Sequence, residues 1–145
     1  MYDRIAQLFP VPMNPHSGGH DLVLVVEDDD GIRSLLVAVA ERDGYRCKVA
    51  VDGDGALDAL GDGADIPSII LLDLLMPRVD GFTVLEHLAR ELPQLLRRVI
   101  VLTAAGESSL RKSRELDRVW CVRRKPLEIE DLRLQMRACA AAARA

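Results

Sequence analysis

Cysteine is scarce in this chain, with three residues in 145. Cys47, Cys121 and Cys139 are odd in number and lack the spacing of metal ligands, so neither a disulfide framework nor a cysteine-bound metal site is expected. All three lie in or beside apolar segments. We therefore expect buried, reduced thiols in a cytoplasmic protein.

Long apolar runs are also missing. No stretch approaches the roughly 20 apolar residues that a membrane-spanning helix needs. At the start of the chain, Asp3 and Arg4 precede only a few apolar residues and prolines follow, which is not the pattern of a signal peptide. We expect neither a membrane protein nor a membrane partner.

No glycine-rich phosphate loop follows the first predicted strand, which argues against a nucleotide or flavin site. The net charge of −4 is unevenly spread, with seven basic and 17 acidic residues in 1–96 but 12 basic and six acidic residues in 97–145. This distribution disfavours direct nucleic-acid binding. It predicts an acidic site and a basic flank within one small domain.

The chain length, with 49% hydrophobic residues, allows one cored domain and is too short for two. Residues 1–20 contain three prolines and two glycines, which interrupt helices, so we expect a flexible N-terminal extension there. The domain itself is predicted to span residues 21–143.

Short apolar runs alternate with amphipathic segments, which is typical of βαβ units in a parallel sheet with helices on both faces. The predicted strands are residues 21–26, 46–51, 69–72, 98–103 and 119–123, and the predicted helices are residues 31–43, 52–60, 81–92, 107–118 and 128–143. In the first helix, the predicted buried stripe is Ile32, Leu35, Leu36 and Val39. Gly44 is expected to end that helix in the left-handed conformation.

Carboxylates follow two of the predicted strands. Glu27 and Asp28 come directly after the first strand, and Asp73 comes directly after the third. The carboxyl ends of the strands in an open α/β sheet are where ligands bind, so these acids are expected to converge at one edge. Like charges at close range need a cation, and oxygen ligands suit Mg²⁺, with Mn²⁺ as an alternative.

Four strand ends together form a pattern of higher specificity than any one of them. The pattern comprises Glu27-Asp28 after the first strand, Asp73 followed by Met76-Pro77 and Asp80-Gly81, Thr103-Ala104 after the fourth strand, and Lys125-Pro126 after the fifth. On these residues, positions 21–140 resemble the receiver domain of two-component response regulators, of which the bacterial chemotaxis regulator is the smallest stand-alone relative. The resemblance implies a doubly wound, flavodoxin-like fold with five parallel strands in the order 2-1-3-4-5.

The resemblance also implies a role for each residue that binds phosphate. Asp73 would be the phosphoacceptor, taking a phosphoryl group from a histidine kinase or a histidine phosphotransfer protein. Thr103 and Lys125 would bind that group, and the Lys125-Pro126 peptide bond would be cis as in relatives.

A magnesium site is implied by the same resemblance. Asp28, Asp73 and the backbone carbonyl of Leu75 would be direct ligands of Mg²⁺. Glu27 would act through a metal-bound water, and it is one methylene longer than the aspartate often found at this position.

Three positions depart from the family's pattern. Relatives place Tyr or Phe three residues before the lysine, but here that residue is Val122; Trp120 is expected by strand alternation to point to the same face. Leu75 and Ala105, at positions that modulate the loss of phosphate in the family, are apolar and cannot orient an attacking water. We hypothesise a slowly hydrolysed phosphoaspartate.

The predicted function is a stand-alone, single-domain response regulator that signals to a protein partner by conformational change. It would catalyse its own phosphorylation and dephosphorylation, and it would not be an enzyme acting on an external substrate. Two alternatives stay open: a receiver-fold binding module that works without phosphate, and an aspartyl-phosphate hydrolase. The hydrolase is disfavoured because Leu75 stands where a second catalytic aspartate is needed and because no cap insertion is present.

Overall fold

Strands and helices alternate along the chain in a computed structural model that describes residues 21–61 and 65–145. The strands are β1 (Leu22–Val26), β2 (Arg46–Ala50), β3 (Ile69–Asp73), β4 (Val99–Thr103) and β5 (Cys121–Arg124). The helices are α1 (Asp30–Arg42), α2 (Gly53–Gly61), α3 (Gly81–Glu91), α4 (Glu107–Leu110) and α5 (Ile129–Arg144), with 3₁₀ turns at Pro93–Arg98 and Arg114–Asp117. The predicted flexible extension at 1–20 lies outside the described residues.

The five strands form one sheet in which every pairing is parallel, in the order β2-β1-β3-β4-β5. This order reverses direction between β1 and β3, which places a crevice at the carboxyl ends of these two strands. All residues of β1, β3 and β4 are buried, which explains why they read as continuous apolar runs. The predicted doubly wound fold is confirmed.

Each face of the sheet carries its own hydrophobic core. On one face, α2 and α3 contribute Ala56, Leu85 and Leu88 to a cluster with alternate residues of β1, β3 and β4, which we call the α2/α3 core. On the other face, α1 and α5 contribute Leu36 and Met136 to the α1/α5 core. Successive strand residues point to opposite faces, so the central strands supply both cores.

The ends of α1 follow from local chemistry. Asp29 precedes the helix, and its side chain accepts a hydrogen bond from the Ile32 N–H at 2.8 Å, which satisfies one unpaired donor of the first turn. Gly44 lies just beyond the helix with φ of 90°, so the predicted left-handed ending is confirmed. The buried stripe is only partly as predicted, because Leu35 is 46% exposed and Leu36 and Ala40 face the sheet.

The predicted helix at 107–118 is wrong as one element. It ends after one turn at Leu110, and a 3₁₀ turn at Arg114–Asp117 follows. Only Leu110 and Leu116 of this segment pack against the α2/α3 core, so little apolar burial supports a continuous helix.

All three cysteines carry free thiols. Cys139 is buried as predicted, whereas Cys47 and Cys121 are only half-buried. Burial raises the pKa of Cys47 to about 11 and that of Cys139 to about 12, so both thiols stay protonated near neutral pH. Among the described helices, none combines the length and the apolar character needed to cross a bilayer.

Candidate functional site

The register of the sheet gathers the predicted site residues at one edge. Val26 pairs with Leu72 across β1 and β3, and Thr103 pairs with Arg124 across β4 and β5. The residues that follow these positions therefore lie side by side at the carboxyl ends of the strands. Asp73 occupies the centre of this edge as the last residue of the buried strand β3.

Three carboxylates converge at this edge. One oxygen each of Glu27, Asp28 and Asp73 lies within 4.8 Å of the others. Glu27 and Asp73 are 1% and 4% exposed, whereas Asp28 is exposed at the mouth of the site. A set of hard oxygen donors that is buried on one side and open to water on the other suits Mg²⁺, which keeps several of its waters when bound to protein.

Lys125 is the cation that offsets this negative charge. Its Nζ lies 2.9 Å from Glu27 Oε1 and 3.5 Å from Asp73 Oδ2, and its side chain is 17% exposed. The lysine reaches the cluster from the residue after β5, where its N–H donates to the Thr103 carbonyl at 2.9 Å. Its peptide bond to Pro126 is cis, as the family resemblance implied.

Thr103 ends β4 beside the cluster and is fully buried. Its Oγ1 accepts a hydrogen bond from the Ala105 N–H at 2.9 Å. Leu75 lies on the other side of the phosphoacceptor candidate, where its N–H donates to Asp73 Oδ1 at 3.1 Å and its side chain is 50% exposed. The structure thus brings together the side chains of Glu27, Asp28, Asp73 and Lys125, and it places Thr103 at the neighbouring strand end. The ligand role of the Leu75 carbonyl stays a prediction.

The charges at this edge perturb one another. Burial and a hydrogen bond with Asp73 raise the pKa of Glu27 from 4.5 to about 7, although Lys125 acts in the opposite direction. Burial alone would lower the pKa of Lys125, but its hydrogen bond with Glu27 and the charge of Asp73 outweigh burial and raise that pKa. The Glu27 carboxyl therefore holds a proton more readily near neutral pH than a free glutamate does, and a divalent ion would compete with that proton.

This perturbation predicts how stability depends on pH in a buffer without divalent ions. The folded protein holds the Glu27 proton up to a pKa of about 7, whereas the unfolded chain releases it near 4.5. Folding takes up this proton between the two values, so the Glu27 contribution to the free energy of unfolding decreases as the pH rises through them. Thermal melts in EDTA between about pH 5 and about pH 8 are expected to show this decrease in the wild type, and Glu27→Gln should flatten it. An identical slope in both proteins would contradict the prediction.

The expectation that Trp120 shares the face of Val122 is wrong. Val122 packs against the α2/α3 core, whereas Trp120 packs against the α1/α5 core. Trp120 precedes β5, which begins at Cys121, so strand alternation does not apply to it. Its indole N–H donates to Gln135 of α5 at 3.1 Å. Trp120 therefore does not stand in for the aromatic side chain that relatives carry at position 122.

Arg33 was not predicted as part of this edge, yet its guanidinium contacts the backbone of the acidic segment after β1. The signal was present in the sequence, since a residue in the first turn of α1 can fold back over the residues before the helix. An arginine at this position has enough N–H donors to bond several acceptors at once.

A comparison with models of protein families identifies the family of this chain. The model of the response regulator receiver domain family matches residues 23–137. The chain belongs to this family. Its place in two-component signalling follows from that membership.

Receiver-containing relatives differ in length. The chain is 34% identical over 119 residues to the probable methanogenesis regulatory protein FilR2 of Methanothrix harundinacea, covering 77% of this chain and 76% of the relative. It is 33% identical over 115 residues to sporulation initiation phosphotransferase F of Bacillus subtilis, covering 79% of this chain and 89% of the relative. The transcriptional regulatory protein CpxR of Escherichia coli is 41% identical over 97 residues, which are 67% of this chain but 36% of the relative.

Solved receiver domains share the fold. A receiver domain protein from Methanospirillum hungatei superposes with a TM-score of 0.76 at 18% identity, covering 87% of this chain and 98% of that one. The receiver domain of Francisella response regulator 1452 superposes with a TM-score of 0.70 at 28% identity, covering 85% of this chain and 98% of that one. Both likenesses support the fold assigned to this chain.

Proposed function

We propose that this receiver domain accepts a phosphoryl group on Asp73 from a histidine kinase or a histidine phosphotransfer protein, in a reaction that needs Mg²⁺. The observation that carries the proposal is the position of the Asp73 carboxylate, at the end of a buried strand between the acid pair of β1 and Lys125. An isolated capping aspartate would not bring two further acids and a half-buried lysine to the same point.

In the proposed step, a carboxylate oxygen of Asp73 forms a bond to phosphorus as the phosphorus–nitrogen bond of the donor's phosphohistidine breaks. The bonding electron pair leaves with the imidazole. Mg²⁺, when bound by Asp28 and Asp73, would supply positive charge to the phosphoryl oxygens. Lys125 would contact one phosphoryl oxygen directly and exchange its contact with Asp73 for it, since its Nζ already lies 3.5 Å from Asp73 Oδ2.

Thr103 would hold a second phosphoryl oxygen. Its hydroxyl accepts from Ala105 and keeps its own proton available as a donor. A shift of Thr103 and Lys125 toward the phosphoryl group is the conformational change that we propose as the signal to a protein partner. The stand-alone type of regulator and the cytoplasmic location both stay predictions.

Intact-mass measurement tests the phosphoacceptor role. We expect incubation with acetyl phosphate and Mg²⁺ to add one phosphoryl group to the wild type and none to Asp73→Asn. Asp58→Asn serves as the control, because Asp58 is exposed on α2 and, among the described residues, forms no hydrogen bond or ion pair with the site residues. EDTA should prevent the gain in mass. A wild type that stays unmodified would favour the binding module that works without phosphate, and turnover of added phosphate esters would favour the hydrolase.

The lifetime of the phosphorylated state follows from the two apolar neighbours of the site. Leu75 and Ala105 offer no hydrogen-bonding side chain for a water near Asp73, so we expect slow hydrolysis of the phosphoaspartate. The double variant Leu75→Asn, Ala105→Glu is expected to lose phosphate about tenfold faster or more, because its side chains can orient that water. Decay of the phosphoprotein mass in the presence of Mg²⁺ measures the rate. Equal lifetimes in both proteins would contradict this assignment.

A further inference from the structure

Arg33 ties the first turn of α1 to the acidic segment that follows β1. Its Nη1 donates to the backbone carbonyl of Glu27 at 3.1 Å and lies 3.4 Å from the carbonyl of Asp28. Its Nη2 donates to the carboxylate of Asp30, and its side chain is 19% exposed. One guanidinium thus contacts three acceptors within four consecutive residues.

The carboxylate of Asp28 depends on its backbone for its position. Within the part of the chain that the structure describes, this exposed carboxylate has no hydrogen-bond partner of its own. The residue before it is fixed, because the Glu27 N–H donates to the Ala50 carbonyl at 3.1 Å. The residue after it is fixed by the bond between Asp29 and Ile32. Between these anchors, Arg33 holds the two carbonyls on either side of the Asp28 Cα.

We infer that Arg33 is a positioning residue for the proposed magnesium site, because it fixes the peptide groups that aim Asp28 at the carboxylates of Glu27 and Asp73. The inference rests on the proposed function in that the cluster must bind Mg²⁺. Outer contacts of this kind orient metal ligands, and their loss commonly weakens metal affinity by about tenfold or more.

The charge of Arg33 and its positioning of Asp28 would change the affinity for Mg²⁺ in opposite directions, which makes the inference testable. A guanidinium close to the site repels a divalent cation, so a purely electrostatic effect of removing it would strengthen Mg²⁺ binding. A positioning effect would weaken binding instead. The charge of Arg33 is offset by its ion pair with Asp30, so we expect positioning to dominate.

Calorimetric titration with MgCl₂ separates the two effects. We expect Arg33→Met and Arg33→Lys each to raise the Kd for Mg²⁺ about tenfold, because a lysine ammonium keeps the charge but cannot reproduce the planar fork that bonds several acceptors. The Mg²⁺-induced rise in melting temperature should shrink in parallel. The phosphorylation rate with acetyl phosphate should approach that of the wild type once Mg²⁺ is saturating. Arg90→Met, at an exposed position near the far end of α3, should behave as the wild type in all three measurements.

Circular dichroism and melting in EDTA show whether each variant is folded before titration. If Arg33→Met is unfolded, the more conservative Arg33→Lys decides the matter alone. Tighter or unchanged Mg²⁺ binding in a folded variant, or wild-type binding by Arg33→Lys, would overturn the inference. A wild type that binds no Mg²⁺ would instead overturn the proposed function.

Discussion

Gly81→Ala is expected to destabilise the domain by about 2 kcal/mol or more and to slow phosphorylation of Asp73. A Cβ at position 81 would lie 2.3 Å from the Asp73 carbonyl oxygen and 2.7 Å from Leu74 Cα. Both are backbone atoms, which cannot rotate away as the end of a flexible side chain can. The Gly81 N–H also donates to the Leu74 carbonyl at 3.0 Å, so α3 begins in direct contact with the end of β3.

The displaced atoms include the carbonyl of the proposed phosphoacceptor itself, which couples the loss of stability to a loss of function. Moving the Asp73 backbone away from a new methyl group would shift its carboxylate relative to Lys125. Misplacement of reacting groups by up to an ångström can cost two orders of magnitude in rate, so we expect phosphorylation to slow about tenfold or more.

Gly61→Ala is the matched control for this substitution. A Cβ at position 61, in the last turn of α2, would meet no atom of other described segments within 4 Å, and the backbone conformation of Gly61 suits any residue. Alanine there should be neutral or stabilise by up to about 1 kcal/mol through helix propensity. Urea unfolding and the phosphorylation rate at saturating Mg²⁺ measure both variants. A Gly81→Ala protein as stable and as fast as Gly61→Ala would show that the close approach to Asp73 has no consequence.

Much of this architecture could be predicted from the sequence because its signals are local. The apolar run in Ile69–Asp73 predicts a strand buried on both faces, and all of its residues are buried in the structure. Because ligands bind at the carboxyl ends of parallel strands, the acid at the end of this strand lies at the ligand-binding edge. The same argument predicted that Asp28 and Lys125 would lie at that edge. The hydrophobic pattern locates the strand ends, and parallel pairing brings those ends together at one edge of the sheet.

Other features depend on contacts between distant segments, which no local pattern encodes. Hydrophobic spacing placed Leu35 toward the sheet, but the buried face of α1 is centred on Leu36 and Ala40. Two isolated leucines could not predict where the segment around Arg111 would stop being helical, since that depends on how its side chains meet α3. Sequence spacing can pair Arg133 with Glu130 one turn earlier, but it cannot pair Arg133 with Asp43, which lies 90 positions away.

Arg133 and Asp43 form a nearly buried ion pair that joins α5 to the end of α1. Arg133 Nε donates to Asp43 Oδ2 at 2.9 Å and Nη2 donates to Oδ1 at 2.8 Å, with the two side chains 13% and 8% exposed. Asp43 follows the last turn of α1, where the negative end of the helix dipole disfavours a carboxylate. Arg133 therefore neutralises a charge that would otherwise be poorly solvated and badly placed.

Arg133→Met is expected to destabilise the domain by about 3 kcal/mol, because it keeps the apolar stem but leaves Asp43 ionised without a partner. Asp43→Asn should cost less, about 1 kcal/mol, since Arg133 still bonds Glu130 at 3.0 Å and no buried charge is left unpaired. The double variant should then be more stable than the sum of the single losses predicts, because the methionine no longer faces an isolated carboxylate. Urea unfolding at neutral pH measures all three.

Comparison with Arg123→Met separates the effect of burying the ion pair from the effect of removing an arginine. Arg123 also pairs with an aspartate of α5, Asp131, but these side chains are 37% and 34% exposed, so water can solvate whichever partner remains. Its loss should cost less than about 1 kcal/mol and should diminish further in high salt, whereas the loss at Arg133 should respond little to salt. Equal costs for the two substitutions would mean that packing of the arginine stems, and not the burial of charge, determines how α5 is held against the domain.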